Sequence, residues 1–299
     1  MKASKNKLLN WSLIIFEGIV LVELFLRLLG LGNAVLYEES ALYEYNIKAN
    51  QNLFRFGHFF QSNSFGMRSK QIDSAAIKVI KIGDSVVHGG ILTDNSSLST
   101  SVLSSKLSNE LSAKIQVLNI SCGSWGPDNG LAYLNEKGNF EAVFMIMVYS
   151  SHDWYDSMTY SPIVGYNLNY PKENFTFAFS ELYNRYLKGN SRDFYKTQIA
   201  PKTESPNMGF TGLIEYCKSN NIEVLGYLHP EISELNRKEY SKTGNKILQF
   251  WKSHNITVVE GINYMSQDCY RDNIHLNSLG QQKMAEAVYP HLYKFLKNK

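Results

Sequence analysis

The chain has 299 residues, 44% of them hydrophobic, and a formal charge of only +3 from 30 basic and 27 acidic side chains. That length supports one large core or two small ones. The near balance of charge, with no basic run interleaved with aromatics, excludes the usual electrostatic footprint of a nucleic-acid partner.

Lys2, Lys5 and Lys7 precede Leu8 to Gly32, a stretch dominated by Leu, Ile, Val and Phe and long enough to cross a bilayer as a helix. Glu17, Glu23 and Arg27 interrupt it. About sixteen apolar residues at roughly −0.5 kcal/mol each outweigh two or three charges at up to about +3 kcal/mol, though narrowly. Residues 1–32 are therefore expected to be an N-terminal membrane anchor, with a soluble amphipathic helix or a cleaved signal ending at Gly30-Leu31-Gly32 as the alternatives. The lysines before it, and Glu38, Glu39 and Glu44 after it, place the N-terminus in the cytoplasm and the rest outside. Glu17 within the anchor offers a pairing group for a membrane partner.

Residues 33–74 lack a sustained period and read as a tether packing on the domain, ending in a turn at Ser64-Phe65-Gly66-Met67-Arg68. From residue 75 strands and helices alternate. Lys78 to Gly83, apolar residues alternating with lysines, is a strand that stops at Gly83-Asp84-Ser85. An apolar stripe at Leu98, Val102, Leu103, Leu107 and Leu111 predicts a helix capped by Asn95, Ser96 or Ser97. A second strand, Lys114 to Ser121, runs into a turn at Cys122-Gly123-Ser124-Trp125-Gly126. Pro127 then opens a helix to about Lys137. Glu141 to Tyr149 is almost wholly apolar, as in a strand buried on both faces, and ends at Ser150-Ser151-His152-Asp153.

An insertion at about 154–205 breaks the rhythm with a dozen aromatics, from Trp154 to Phe194 and Tyr195. It is too long for a plain connection and too aromatic for disorder, so an ordered lid or subdomain is expected. The alternation resumes with a helix around Phe210 to Cys217, a strand at Ile222 to Leu228, helical residues between Glu231 and Ser253, and a strand at Ile256 to Glu260. A last helix runs from Asn277, with a kink expected at Pro290. This order implies an α/β fold with a parallel sheet covered on both faces. Cys122, Cys217 and Cys269 are too scattered for a disulfide framework or zinc site and read as buried small residues.

Ligands of such sheets bind at the carboxyl ends of the strands. Ser85, Gly123 and His152-Asp153 all fall there. A serine needs a base oriented by a carboxylate, and Asp272-Asn273-Ile274-His275 supplies both just before the final helix. His88 is too near Ser85 in sequence to serve it well, and His229 ends a strand with no evident acidic partner beyond Glu231. His152-Asp153 as a metal pair has nothing in the sequence to complete it.

Over residues 75–299, apart from the insertion, the chain resembles the SGNH or GDSL hydrolases. Gly83-Asp84-Ser85 matches the family's first block, Gly123 its second and Asp272-x-x-His275 its last, in the family's order. The resemblance implies a flavodoxin-like three-layer sandwich and ester hydrolysis or acyl transfer without metal or cofactor. Ser85 would be the nucleophile, His275 the base and Asp272 its orienting partner, with the N–H groups of Ser85 and Gly123 in the oxyanion hole. The third block departs from the family's Gly-x-Asn-Asp. His152 stands where the asparagine is usual, and an imidazole N–H can also donate to an oxyanion. The expected substrate is an ester-linked acyl group, first an O-acetyl group on an extracytoplasmic glycan, since Tyr and Trp in the insertion suit sugar rings. The alternatives are an acyltransferase acting on a polysaccharide and a catalytically weak glycan-binding or assembly subunit.

Overall fold

A computed structural model describes residues 2–188 and 205–299, with side chains from residue 9 onward and at Lys7. Phe194 and Tyr195 of the aromatic insertion lie outside the described residues.

Five strands make the central sheet: β5 (Ile77–Gly83), β6 (Ile115–Ser121), β7 (Ala142–Ser150), β8 (Glu223–His229) and β9 (Thr257–Glu260). All pair in parallel, in the order β6-β5-β7-β8-β9. A parallel sheet cannot be joined by hairpins, so each connection crosses a face and covers it. Alternate residues therefore feed two cores. Ile80, Ile82, Leu118, Met145 and Met147 pack on one face with α4 (Pro127–Lys137), α6 (Gly209–Ser219) and α8 (Lys242–Ser253). Val79, Val117, Phe144, Ile146 and Val148 pack on the other with α3 (Ser99–Leu111) and α9 (Ser278–Lys297). The result is a three-layer α/β fold.

The strand order reverses between β6 and β7, on either side of β5. This is the switch point at which such sheets leave a crevice. Three short elements bear on it. These are α2 (Ser85–His88) directly after β5, a 3-10 turn at Ser151–Tyr155 after β7, and α7 (Ile232–Arg237) after β8.

Local details add to or change the expectations. Both lysines of β5 are buried. Lys81 is fully buried, its ammonium donating to Ser99 Oγ at 2.7 Å and meeting Met284 Sδ at 2.9 Å. Both faces of this central strand are covered, so alternation with lysine does not indicate a wet side. Residues 95–97 form a 3-10 turn capped by Asp94, and α3 begins only at Ser99. α9 continues through Pro290.

The expected tether is two antiparallel hairpins, β1 (Tyr37–Ser40) with β2 (Glu44–Ile47) and β3 (Asn52–Arg55) with β4 (His58–Gln61). Tyr43, Tyr45, Ile47, Phe60 and Met67 from this stretch join the first core. The three cysteines are free and buried. N-terminal to all this stands α1 (Lys2–Leu28), whose Leu9–Leu28 portion is long and apolar enough to cross a membrane and is almost wholly exposed.

Candidate active site

β5 ends against a wall. A Cβ on Gly83 would lie 2.4 Å from the Val148 carbonyl oxygen, so only glycine lets the strand pass β7 and turn. Asp84 then caps α2, its carboxylate accepting from the Val86 N–H at 2.8 Å, and Ser85 opens the helix. In this helix only Ser85 O has a helical partner, the Gly89 N–H at 3.0 Å, and three side chains from distant segments satisfy the other carbonyls. Gln281 donates to Val86 O at 2.8 Å, Asn119 to Val87 O at 2.9 Å and Arg68 to His88 O at 2.8 Å. The nucleophile candidate thus sits on a backbone fixed from three directions.

His275 Nε2 lies 2.9 Å from Ser85 Oγ, and His275 Nδ1 lies 2.8 Å from Asp272 Oδ2. Asp272 also accepts from the backbone N–H groups of Ile274 and His275 at 3.0 and 2.8 Å. Partial burial raises its pKa, but these N–H groups and the imidazole outweigh burial and hold the carboxyl below its ordinary range. The loop is pinned by its neighbours. His229 Nε2 meets Ile274 O at 2.8 Å, the Ile232 N–H donates to Asn273 O, and Arg271 donates to Gly89 O at 2.9 Å. Burial depresses His229 to about 4, so the ring is neutral and Nε2–H is the donor to that carbonyl. His229 therefore has a positioning contact although it lacks an acidic partner.

Gly123 follows β6 and is overhung by the insertion. A Cβ there would lie 2.9 Å from the Tyr170 hydroxyl, which also meets Ser124 Oγ at 3.2 Å. Tyr45 donates to Gly123 O at 2.7 Å, and Tyr170 stacks edge-on against Tyr37 and Tyr45 with ring centroids 4.9 and 5.0 Å away. Burial pushes the Tyr170 phenol up to about 12, keeping its proton in place. A cavity of about 280 Å³ links Tyr170, Tyr37, Ala34, Val35 and His88 to His275. The sequence contained no signal for Tyr170 beyond the aromatic content of the insertion, nor for Arg68 beyond its place in a turn.

His152, just after β7, lies among three carboxyl groups. Nε2 lies 3.5 Å from Asp153 and 3.8 Å from Asp84, and Nδ1 lies 3.5 Å from Glu231. Asp153 foremost, then Glu231 and Asp84, raise the partly exposed imidazole to about 10, which favours its protonated form beside these carboxyl groups. Asp84, His152 and Asp153 are also the described residues whose ligand atoms come close enough together for a metal, within 4.8 Å. One oxygen each of Asp84 and Asp153 accepts a backbone N–H, from Val86 and Ser150, so each carboxyl group has one oxygen already committed.

No model of a known protein family matches the chain. No curated protein matches it either. Among solved structures it is similar to a two-domain esterase active on acetylated mannans, with 12% identity over 75% of this chain and a TM-score of 0.47, spanning half the length of that protein. It is also similar to the lipase/acylhydrolase from Enterococcus faecalis (14% identity, 73% of this chain and 96% of that one, TM-score 0.44). A third match is an acetyl xylan esterase, AlAXEase (13%, 72% and 100%, 0.43).

Proposed function

We propose that the chain is a serine esterase of the SGNH or GDSL kind, removing acyl groups from ester-linked substrates through an acyl-enzyme on Ser85. The single observation that carries this reading is the continuous relay from Ser85 Oγ through His275 to Asp272, at 2.9 and 2.8 Å, at the switch point of the sheet. Ser85 Oγ attacks the ester carbonyl while His275 Nε2 takes its proton, and Asp272 steadies the imidazolium. Collapse of the tetrahedral oxyanion expels the alkoxide, which takes the proton back from His275. Water, deprotonated by the same imidazole, then releases the carboxylic acid and restores Ser85.

The backbone N–H groups of Ser85 and Gly123 are the proposed oxyanion donors. For the third donor we favour the Tyr170 hydroxyl, which overhangs Gly123, over His152, whose two nitrogens lie 3.5 to 3.8 Å from carboxylates. His152 instead balances Asp84, the residue before the nucleophile.

Hydrolysis is preferred over acyl transfer because the relay is open to solvent, with His275 36% and Asp272 55% exposed. The proposed substrate is an O-acetylated glycan outside the cytoplasm, reached from a membrane anchor formed by α1. An acyltransferase would need the acceptor hydroxyl to exclude water from this open relay. A binding subunit would have no use for a hydrogen-bonded Ser–His–Asp set. The test is acetate release from p-nitrophenyl acetate and from acetylated xylan and mannan by the full chain. Turnover that disappears in Ser85→Ala and His275→Ala supports the reading, and turnover that survives both contradicts it.

A further inference from the structure

The charges that interrupt the apolar N-terminal helix have a structural use. Glu23 accepts from the backbone N–H groups of Ala178 and Phe179 at 2.8 and 3.0 Å, at the start of α5 (Ala178–Leu182), which has no side-chain cap of its own. Arg27 bonds Glu23 at 2.8 Å and donates to Thr176 O at 2.7 Å. Beyond the helix, the Gly32 N–H donates to Glu181 at 2.7 Å. Glu181 is buried against Arg55, which in turn reaches Gly30 O at 2.5 Å. Leu26 and Leu31 are buried against Ala178, with Phe56 and Leu182 beside them. The segment Gly30-Leu31-Gly32 is thus packed into the folded domain.

Around this junction the surface is apolar. Phe177, Phe179, Tyr183, Tyr186 and Leu187 on one side, and Phe54 and Phe59 on the other, are each between 44% and 64% exposed. The two groups flank the point where α1 leaves the domain, because α5 is capped by Glu23 while the β3–β4 turn bonds Leu29 O through the Phe56 N–H at 2.9 Å. Exposed rings at the end of an apolar span match the interfacial layer of a bilayer, where Tyr183 and Tyr186 offer an apolar body with a polar tip and Phe54, Phe59, Phe177 and Phe179 offer apolar area.

We propose that this collar is seated in the interfacial layer of the bilayer that α1 crosses, so that the domain rests on the membrane in one orientation instead of swinging on a tether. The consequence for the site is geometric. Ala34 and Val35 line the cavity that contains His275, and Ala34 is six residues beyond the end of α1, at most roughly 20 Å of chain. The cavity is held near the membrane surface, which selects esters presented there. The proposal rests on the reading of α1 as a span and is independent of the hydrolase chemistry.

The full chain in nanodiscs of phosphatidylcholine and phosphatidylglycerol tests it. Cysteines introduced singly as Phe179→Cys and Tyr186→Cys can be labelled with an environment-sensitive fluorophore, since Cys122, Cys217 and Cys269 are buried. Leu21→Cys serves as the span control and Lys218→Cys, exposed at the far end of α6, as the water control. Quenching by shallow spin-labelled lipid is expected to be several-fold greater at 179 and 186 than at 218. It should fall at 186 in the Glu23→Gln background while 21 stays quenched by deep labels. If 21 is quenched and 179 and 186 behave like 218, the collar is overturned. If 21 is not quenched either, the span reading fails with it. Shielding of 179 and 186 in native membranes but not in pure lipid would assign the surface to a protein and equally overturn the proposal.

Discussion

At the scale of single residues, each group around Ser85 makes a different prediction. Asp272 holds the His275 tautomer and steadies its charged form, so Asp272→Asn is expected to lower kcat by about 10² to 10⁴ with KM little changed. Tyr170→Phe removes the proposed third oxyanion donor and leaves the ring stack intact. It is expected to cost roughly 10² in kcat, whereas His152→Gln should cost clearly less. Steady-state kinetics of the two variants side by side check this order, and the reverse order returns the donor role to His152.

His152 also predicts a pH signature. With its pKa raised from 6.5 to about 10, its contribution to stability is fully present below about pH 6.5 and lost as pH rises through about 10. The difference in thermal midpoint between the wild type and His152→Gln should therefore shrink across that interval. The triad candidates were legible because their spacing and order are carried by the chain itself, and because strand ends can be read from periodicity. Tyr170 was not. Its role depends on a tertiary approach to Gly123 across 47 positions, and within an aromatic-rich stretch nothing local distinguishes it.

Among the elements, β5 and the short helix after it carry the most consequence. Burial lowers Lys81 from 10.5 to about 7. The unfolded chain therefore binds the proton that the native state sheds, and stability due to this residue rises with pH between about 7 and 10.5. Lys81→Met is expected to raise the thermal midpoint at pH 7 and to abolish that rise, opposite in sign to the His152 effect. A wild-type profile lacking any Lys81-dependent rise would contradict the burial argument.

Arg68 is another buried cation, reduced to about 9 by burial and donating to three carbonyls, of His88, Gly90 and Thr93. Arg68→Met leaves buried carbonyls unpaired at about 1–3 kcal/mol each. It should lower both the thermal midpoint and kcat, since α2 carries Ser85. The parallel sheet was readable from long apolar strands alternating with helical stripes. The hairpins of residues 37–61 were not, because four-residue strands offer too short a window for a period of two to stand out.

For the whole molecule, the sheet gathers Ser85, Gly123, His152 and His275 at one edge, and the N-terminal segment approaches that same edge. The sequence shows Glu23 and Arg27 as an i,i+4 pair and as costs to a membrane span, but not their tie to the insertion, because Ala178, Phe179 and Thr176 lie about 150 residues away. In the fold they tie the helix to the insertion, and the hairpins and insertion together form the wall of the cavity beside His275. Placement of the proposed catalytic residues and placement of the domain at the end of α1 are therefore one structural problem.

The most direct test of the central claim is covalent. Intact mass and peptide mapping of the full chain after treatment with a fluorophosphonate are predicted to show one adduct, on Ser85, formed at a rate that collapses in His275→Ala. A folded protein that takes up no adduct, or takes it up at a serine other than Ser85, would contradict the assignment of Ser85 as the nucleophile.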